Sequence, residues 1–316
     1  MTDPLGRPDR FKDSHLTERH DPTPQDEFFL PDEMLKPFVD RSAARTSADN
    51  LFDEEARRQS ADLDMQAERL YRSQSYKEAE GLWLKAIELY RTCGDLTGEA
   101  AAWRNMGRSR YRRQEYAHAH RALDAALKLY EEISSENGIA WTRTDLGRVA
   151  YREGRYADAR LAFNSALEYF RSIDDRVAIA DNLNALGKAA FRLGDYRSSR
   201  RFLLEAVSLY DEECEFDGLC VAQENLARVA FRLGDLVASR TAQEEHVRLC
   251  RKLGDRKGAA WSLHDLTRLA LLQHDYEAAA KHLSDSIEQF QHMGNQAGLD
   301  ACAILQSNLS AAVMQA

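Results

Sequence analysis

Residues 146–170 read LGRVAYREGRYADARLAFNSALEYF, and the spacing inside this stretch decides the fold. After Tyr156 come a small residue, a large one and a small one: Ala159, Phe163 and Ala166. Steps of three, four and three keep them on one face of a helix. Alternating small and large side chains let two helices approach closely and interlock. Upstream, Leu146-Gly147 and Tyr151 mark a second helical segment. Gly154 lies between the two, where the left-handed cap that closes a helix suits glycine. The stretch therefore predicts a helix–turn–helix unit.

The unit recurs every 40 residues. Its lead positions are Tyr76, Tyr116, Tyr156, Tyr196, Leu236 and Tyr276. The large packing position is filled by Trp83, Leu123, Phe163, Leu203, Gln243 and Leu283, flanked by Ala, Ser or, once, His246. On the preceding helix Met106, Leu146, Leu186, Leu226 and Leu266 stand before Gly107, Gly147, Gly187, Ala227 and Thr267. No single unit can bury its own apolar face, so stacking of neighbours must supply the core. Six units over residues 47–297 make one all-α solenoid, and a last amphipathic segment, 298–316, caps its exposed end.

Leu-Gly, a mid-helix aromatic, Gly-Asp-Tyr at the turn and then Ala-large-Ala resemble the tetratricopeptide repeat. The usual unit has about 34 residues; the longer unit here, with Gly94-Asp95 and Gly254-Asp255 before the next helix, is similar to Leu-Gly-Asn-repeat adaptors and to sensor arms of some bacterial signalling ATPases. That resemblance implies a right-handed superhelix whose first helices line the concave surface. It also implies a binding role rather than any one partner.

Composition agrees. All six prolines lie within the first 37 residues, and a proline costs about 3 kcal/mol in a helix interior. A long proline-free remainder argues against β-rich and mixed enzymes. The chain carries a net charge of −9, which argues against nucleic acid as partner. No apolar run reaches the ~20 residues of a membrane span. Five cysteines without a CxxC pair read as reduced thiols of a cytoplasmic protein. His118 and His120, two apart on a helix, point in different directions, and spacing predicts no metal site. His246 reads either as a ligand or as a buried histidine closing an irregular contact, with the second preferred.

Two basic columns stand on the first helices. One is Arg108, Arg148, Lys188, Arg228 and Arg268; four residues further on come Arg112, Arg152, Arg192 and Arg232. Tyr111 and Tyr151 lie beside them. Residues four apart share a helix face, so the columns form paired ladders across the repeats. In the resemblance, the first ladder falls where peptide-binding members often carry Asn, and arginine there favours carboxylates over backbone amides. The competing reading is internal pairing: Asp145 with Arg148, Glu224 with Arg228, Asp265 with Arg268.

Residues 1–46 form an acidic, proline-bearing tail too polar to offset its own ordering entropy. Within it QDEFFLPDEMLKPFVD (25–40) sets Phe28, Phe29, Leu30, Leu35 and Phe38 among acids. This segment is either a short binding motif or a cap on the first repeat, and its charge suits competition for the basic groove, in cis or between molecules. No nucleophile–base set, paired carboxylate cleft or cofactor fingerprint emerges. The sequence thus points to a non-enzymatic adaptor, without cofactor or metal, holding an acidic protein or peptide segment. Its alternatives are a structural component of a large, cytoskeletal assembly and the ligand-sensing arm of a signalling system.

Overall fold

The computed structural model describes residues 47–315; the acidic tail and its motif at 25–40 lie outside them. Among the described residues are thirteen α-helices and no strand. They are α1 (Ser47–Arg72), α2 (Tyr76–Cys93), α3 (Leu96–Arg112), α4 (Tyr116–Glu132), α5 (Glu136–Arg152), α6 (Tyr156–Ser172) and α7 (Arg176–Arg192). The series continues with α8 (Tyr196–Glu212), α9 (Phe216–Arg232), α10 (Leu236–Leu253), α11 (Arg256–Leu272), α12 (Tyr276–His292) and α13 (Gln296–Gln315). Each helix packs chiefly on its predecessor and successor, so the core is a continuous seam rather than a central ball.

The small–large–small columns fill that seam. Ala159, Phe163 and Ala166 are buried, and so are Ala79, Trp83 and Ala86 two repeats earlier. In the α3–α4, α5–α6 and α7–α8 pairs the glycine of the first helix receives the large residue of the second. A Cβ on Gly147 would lie 2.6 Å from Phe163 Cε1, and one on Gly187 would lie 2.6 Å from Leu203 Cγ. The Leu column is less uniform, since Leu146 and Leu226 are only partly buried.

The turns repeat as strictly as the helices. One residue per turn takes positive φ, whether glycine, as at Gly154 (+80°), or not, as at Gln114 (63°), Asp174 (53°) and Cys214 (56°). The next amide closes the preceding helix: Asp175 N–H donates to the Phe170 carbonyl at 3.1 Å and Asp255 N–H to that of Cys250 at 2.8 Å. Where that residue is aspartate, it then caps the following helix. Asp175, Asp195, Asp235 and Asp255 accept side-chain hydrogen bonds from the amides of Ala178, Ser198, Ala238 and Gly258. Each such cap satisfies an otherwise orphaned helix N–H.

One cap gives a pH prediction. Hydrogen bonds from Ser198, side chain first and backbone second, hold the Asp195 carboxyl below the usual range. A carboxyl depressed in the fold stabilises above its unfolded pKa of about 3.9, and that contribution is lost as pH falls through the folded value. Asp195→Ala should therefore lower the urea midpoint at pH 7 and lower it less at pH 2. An equal effect at both values would show that the carboxylate charge is not what caps α8.

Candidate functional site: the face of the odd-numbered helices

Odd-numbered helices approach their odd-numbered successors directly from α1 to α9 and again from α11 to α13, whereas the even-numbered helices make no comparable contact. In a curved stack the side on which alternate layers meet is the inner one. Both basic ladders rise from these odd helices. Arg108, Arg148, Lys188, Arg228, Arg268 and Arg152 are half-buried; Arg112, Arg192 and Arg232 are exposed.

The three pairings read from spacing are all present. Arg148 Nη1 lies 3.2 Å from Asp145 Oδ1, Arg228 Nη2 2.7 Å from Glu224 Oε1, and Arg268 Nη1 3.4 Å from Asp265 Oδ1. Pairs of this kind at a helix surface contribute only about 0.2–0.5 kcal/mol. A second set of contacts joins successive repeats through aromatic rings. Arg108 stacks on the Tyr71 ring at 5.3 Å, and Arg112 Nε donates to Tyr71 Oη at 3.5 Å. Arg152 Nε donates to Tyr111 Oη at 3.2 Å, and Lys188 Nζ lies 5.2 Å from the Tyr151 ring. Arg192 stacks on Tyr156 at 5.6 Å. Each ring is held in turn by its neighbour across the turn, as in Tyr151 with Tyr156 at 5.2 Å. Tyrosine here is a strut between layers, fixing cations by attraction to the ring face.

Acids that the ladders alone do not reveal stand on the same face. Asp145 is shared, accepting from Arg104 Nε at 2.7 Å as well as from Arg148. Asp181 lies 4.0 Å from Arg148 Nη2 and accepts the Tyr210 hydroxyl at 2.6 Å. Burial and the Asp181 carboxylate push the Tyr210 hydroxyl far above its ordinary range, so it remains a donor. Arg104 also covers the Trp141 ring at 5.6 Å. Arg104, Trp141 and Asp181 were not legible as site residues because none has a like residue 40 positions away, whereas Tyr71 continues the Tyr111 and Tyr151 column one repeat earlier, where the first ladder has no cation. The face is thus mixed in charge around α5 and α7. Around α3 the cations Arg108 and Arg112 meet the neutral groups Tyr71 and Asn105, the latter at 3.3 Å.

A stack of paired helices, small-large interlocks and a polar inner face define an α-helical repeat scaffold. The family model of the tetratricopeptide repeat matches residues 99–172, 138–212 and 218–292. The chain belongs to that family, and its fold is that of a protein–protein interaction scaffold. No curated protein matches the sequence. Among solved structures it is similar to a Rap protein complexed with competence and sporulation factor, at 15% identity, with 80% of this chain and 74% of that one covered and a TM-score of 0.56. It is also similar to a signal transduction ATPase with numerous domains and a tetratricopeptide repeat sensor from Pyrococcus horikoshii. There the identity is 16%, the TM-score 0.63, and 76% of this chain aligns with 40% of that one. A third likeness is to PilF of Pseudomonas aeruginosa, at 15% identity, 77% and 99% coverage and a TM-score of 0.56. At these identities the likeness is one of fold. No helix among the described residues is long and apolar enough to cross a membrane.

Proposed function

We propose that the chain is a non-catalytic adaptor whose odd-helix face holds an acidic peptide segment, with the α3 and α5 end as the principal contact. The observation that carries this reading is the pair of basic ladders, built into successive layers and oriented by tyrosine struts. Arginine's planar fork suits carboxylates, and charge-assisted hydrogen bonds are among the stronger ones. A peptide acid would displace no carboxylate at Arg108 and Arg112, whose partners Tyr71 and Asn105 are neutral. At Arg148 it would compete with Asp145 and Asp181. The Rap neighbour was solved in complex with competence and sporulation factor, a precedent for binding by the fold and not for the ligand. The free thiols fit a cytoplasmic setting.

A fluorescent peptide of residues 25–40 is a suitable acidic probe, offered to a chain lacking residues 1–45. Arg108→Glu/Arg112→Glu should weaken its binding at least tenfold, about 1.4 kcal/mol, while leaving the helical circular dichroism unchanged. Rising salt should weaken the parent as well. Binding indifferent to both changes would remove the groove reading. The intact chain should bind the same probe less well than the shortened one if the tail competes for the face; equal affinity would dispose of that competition alone.

A further inference from the structure

One repeat departs from its sisters at three positions together. Where the others place Ala100, Ala140, Ala180 and Ala260, α9 places Cys220. Where they place Ala86, Ala126, Ala166, Ala206 and Ser286, α10 places His246. The third position is aromatic everywhere else (Tyr90, Tyr130, Phe170, Tyr210, Phe290) and is Cys250 here. Those aromatic rings rest on the start of the next helix, as Tyr130 does against Gly138. Two small residues and a ring have been exchanged for two thiols and an imidazole. Filling the same volume needs no such set, since an aliphatic trio packs without burying polar atoms.

The fold brings the three together. His246 and Cys250 are four apart on one face of α10, and Cys220 faces them from α9. They are 4%, 0% and 7% exposed. Cys220 Sγ and Cys250 Sγ are 3.5 Å apart, and His246 Nε2 lies 3.4 Å from Cys250 Sγ. All three ligand atoms fall within 4.8 Å of one another. With zinc–sulfur and zinc–nitrogen bonds of about 2.3 Å and 2.0–2.1 Å, a tetrahedral ion spaces its ligands about 3.8 Å (sulfur to sulfur) and 3.5 Å (sulfur to nitrogen) apart. The two edges that meet at Cys250, 3.5 Å and 3.4 Å, lie close to those figures. The second ring nitrogen, His246 Nδ1, is engaged by Ser262 Oγ of α11 at 2.5 Å. That contact turns Nε2 toward the sulfurs, as a metal-ligating histidine needs from its outer partner. Asp255 lies alongside, its Oδ2 4.0 Å from Cys250 Sγ and its Oδ1 capping Gly258.

We propose that Cys220, His246 and Cys250 form a buried site for one thiophilic divalent transition-metal ion of the zinc class, with water or the Asp255 carboxylate as fourth ligand. Binding exchanges two thiol protons for the ion, with no change of oxidation state. The ion would staple α9 to α10 at the mouth of α11. Spacing within the sequence predicts no such site, because the ligands come from two helices and only one pair of them is four apart.

The test uses the full chain, stripped with a chelator under reducing conditions and titrated with Co²⁺. The wild type should take up one equivalent, giving thiolate-to-cobalt absorption and intense tetrahedral visible bands that one equivalent of Zn²⁺ bleaches. Excess Zn²⁺ should raise the thermal midpoint. Cys220→Ala installs the residue of four sister repeats; it should keep the helical dichroism and lose at least a hundredfold in affinity, as should His246→Ala. The wild-type spectrum is decisive by itself if a variant fails to fold. No thiolate–cobalt band in the wild type overturns the proposal. So does a band that survives both substitutions, or a Cys220–Cys250 disulfide as the only modification found.

Discussion

Replacing Glu80 with alanine is expected to cost the fold about 3–5 kcal/mol, the range for breaking a buried ion pair from one side. Glu80 is 6% exposed, and Arg110, from α3, is 1% exposed. The Glu80 carboxylate lies 3.5 Å from Arg110 Nε and 3.1 Å from Arg113 Nη1, and it accepts from Ser109 Oγ at 2.9 Å. Burial already pulls the Arg110 guanidinium below its usual pKa, with Glu80 the chief group opposing that shift. Neither Arg110 Nε nor Nη1 makes a hydrogen bond of good geometry, so charge attraction to Glu80 is what makes burial tolerable. Without it an uncompensated cation is left inside the seam. The position of Arg110 is alanine in four later repeats: Ala150, Ala190, Ala230 and Ala270. Glu80→Ala/Arg110→Ala should accordingly recover more than half of the loss. Urea denaturation of the two singles and the double closes the cycle. A single Glu80→Ala costing under about 1 kcal/mol would mean that water reaches Arg110.

Phe163→Ala should be comparably severe, about 3–5 kcal/mol. The ring is 1% exposed and occupies the hollow above Gly147, between Ala159 and Ala166. Small neighbours on three sides cannot collapse onto the space a ring leaves, so the cavity persists. Because the repeats are coupled mainly to their neighbours, the damage should stay local. Amide exchange in α5 and α6 should accelerate more than in α11 and α12, and urea unfolding should broaden or split. Gly147→Leu in the Phe163→Ala background should restore part of the stability by filling the hollow from the other helix, and a leucine also favours helix over glycine. Full cooperativity in Phe163→Ala would contradict a seam held layer by layer.

The candidate binding face was half legible. Asp145–Arg148, Glu224–Arg228 and Asp265–Arg268 could be read from spacing, because residues three or four apart meet on any helix. The struts could not. Arg108 and Arg112 reach Tyr71 across 37 and 41 positions, and Asp181 meets Arg148 from the next layer. Such contacts depend on the angle between repeats, which no periodicity states. The ladders thus looked uniformly basic in sequence and are interleaved with acids in space.

The 40-residue period and the absence of proline beyond residue 37 determined the helices, their register and the columns that fill the core. These are one-dimensional properties: side chains at i, i+3, i+4 and i+7 share a face whatever the tertiary context. The tertiary structure alone decided the rest. It holds Gln114, Asp174 and Cys214 at positive φ, at turn positions that elsewhere in the stack take glycine, because packing of the flanking helices fixes the turn more strongly than the residue in it. It buries Arg110 against Glu80 and gathers Cys220, His246 and Cys250. All of these join separate helices, and their distances are set by how layers stack, not by how far apart the residues stand along the chain.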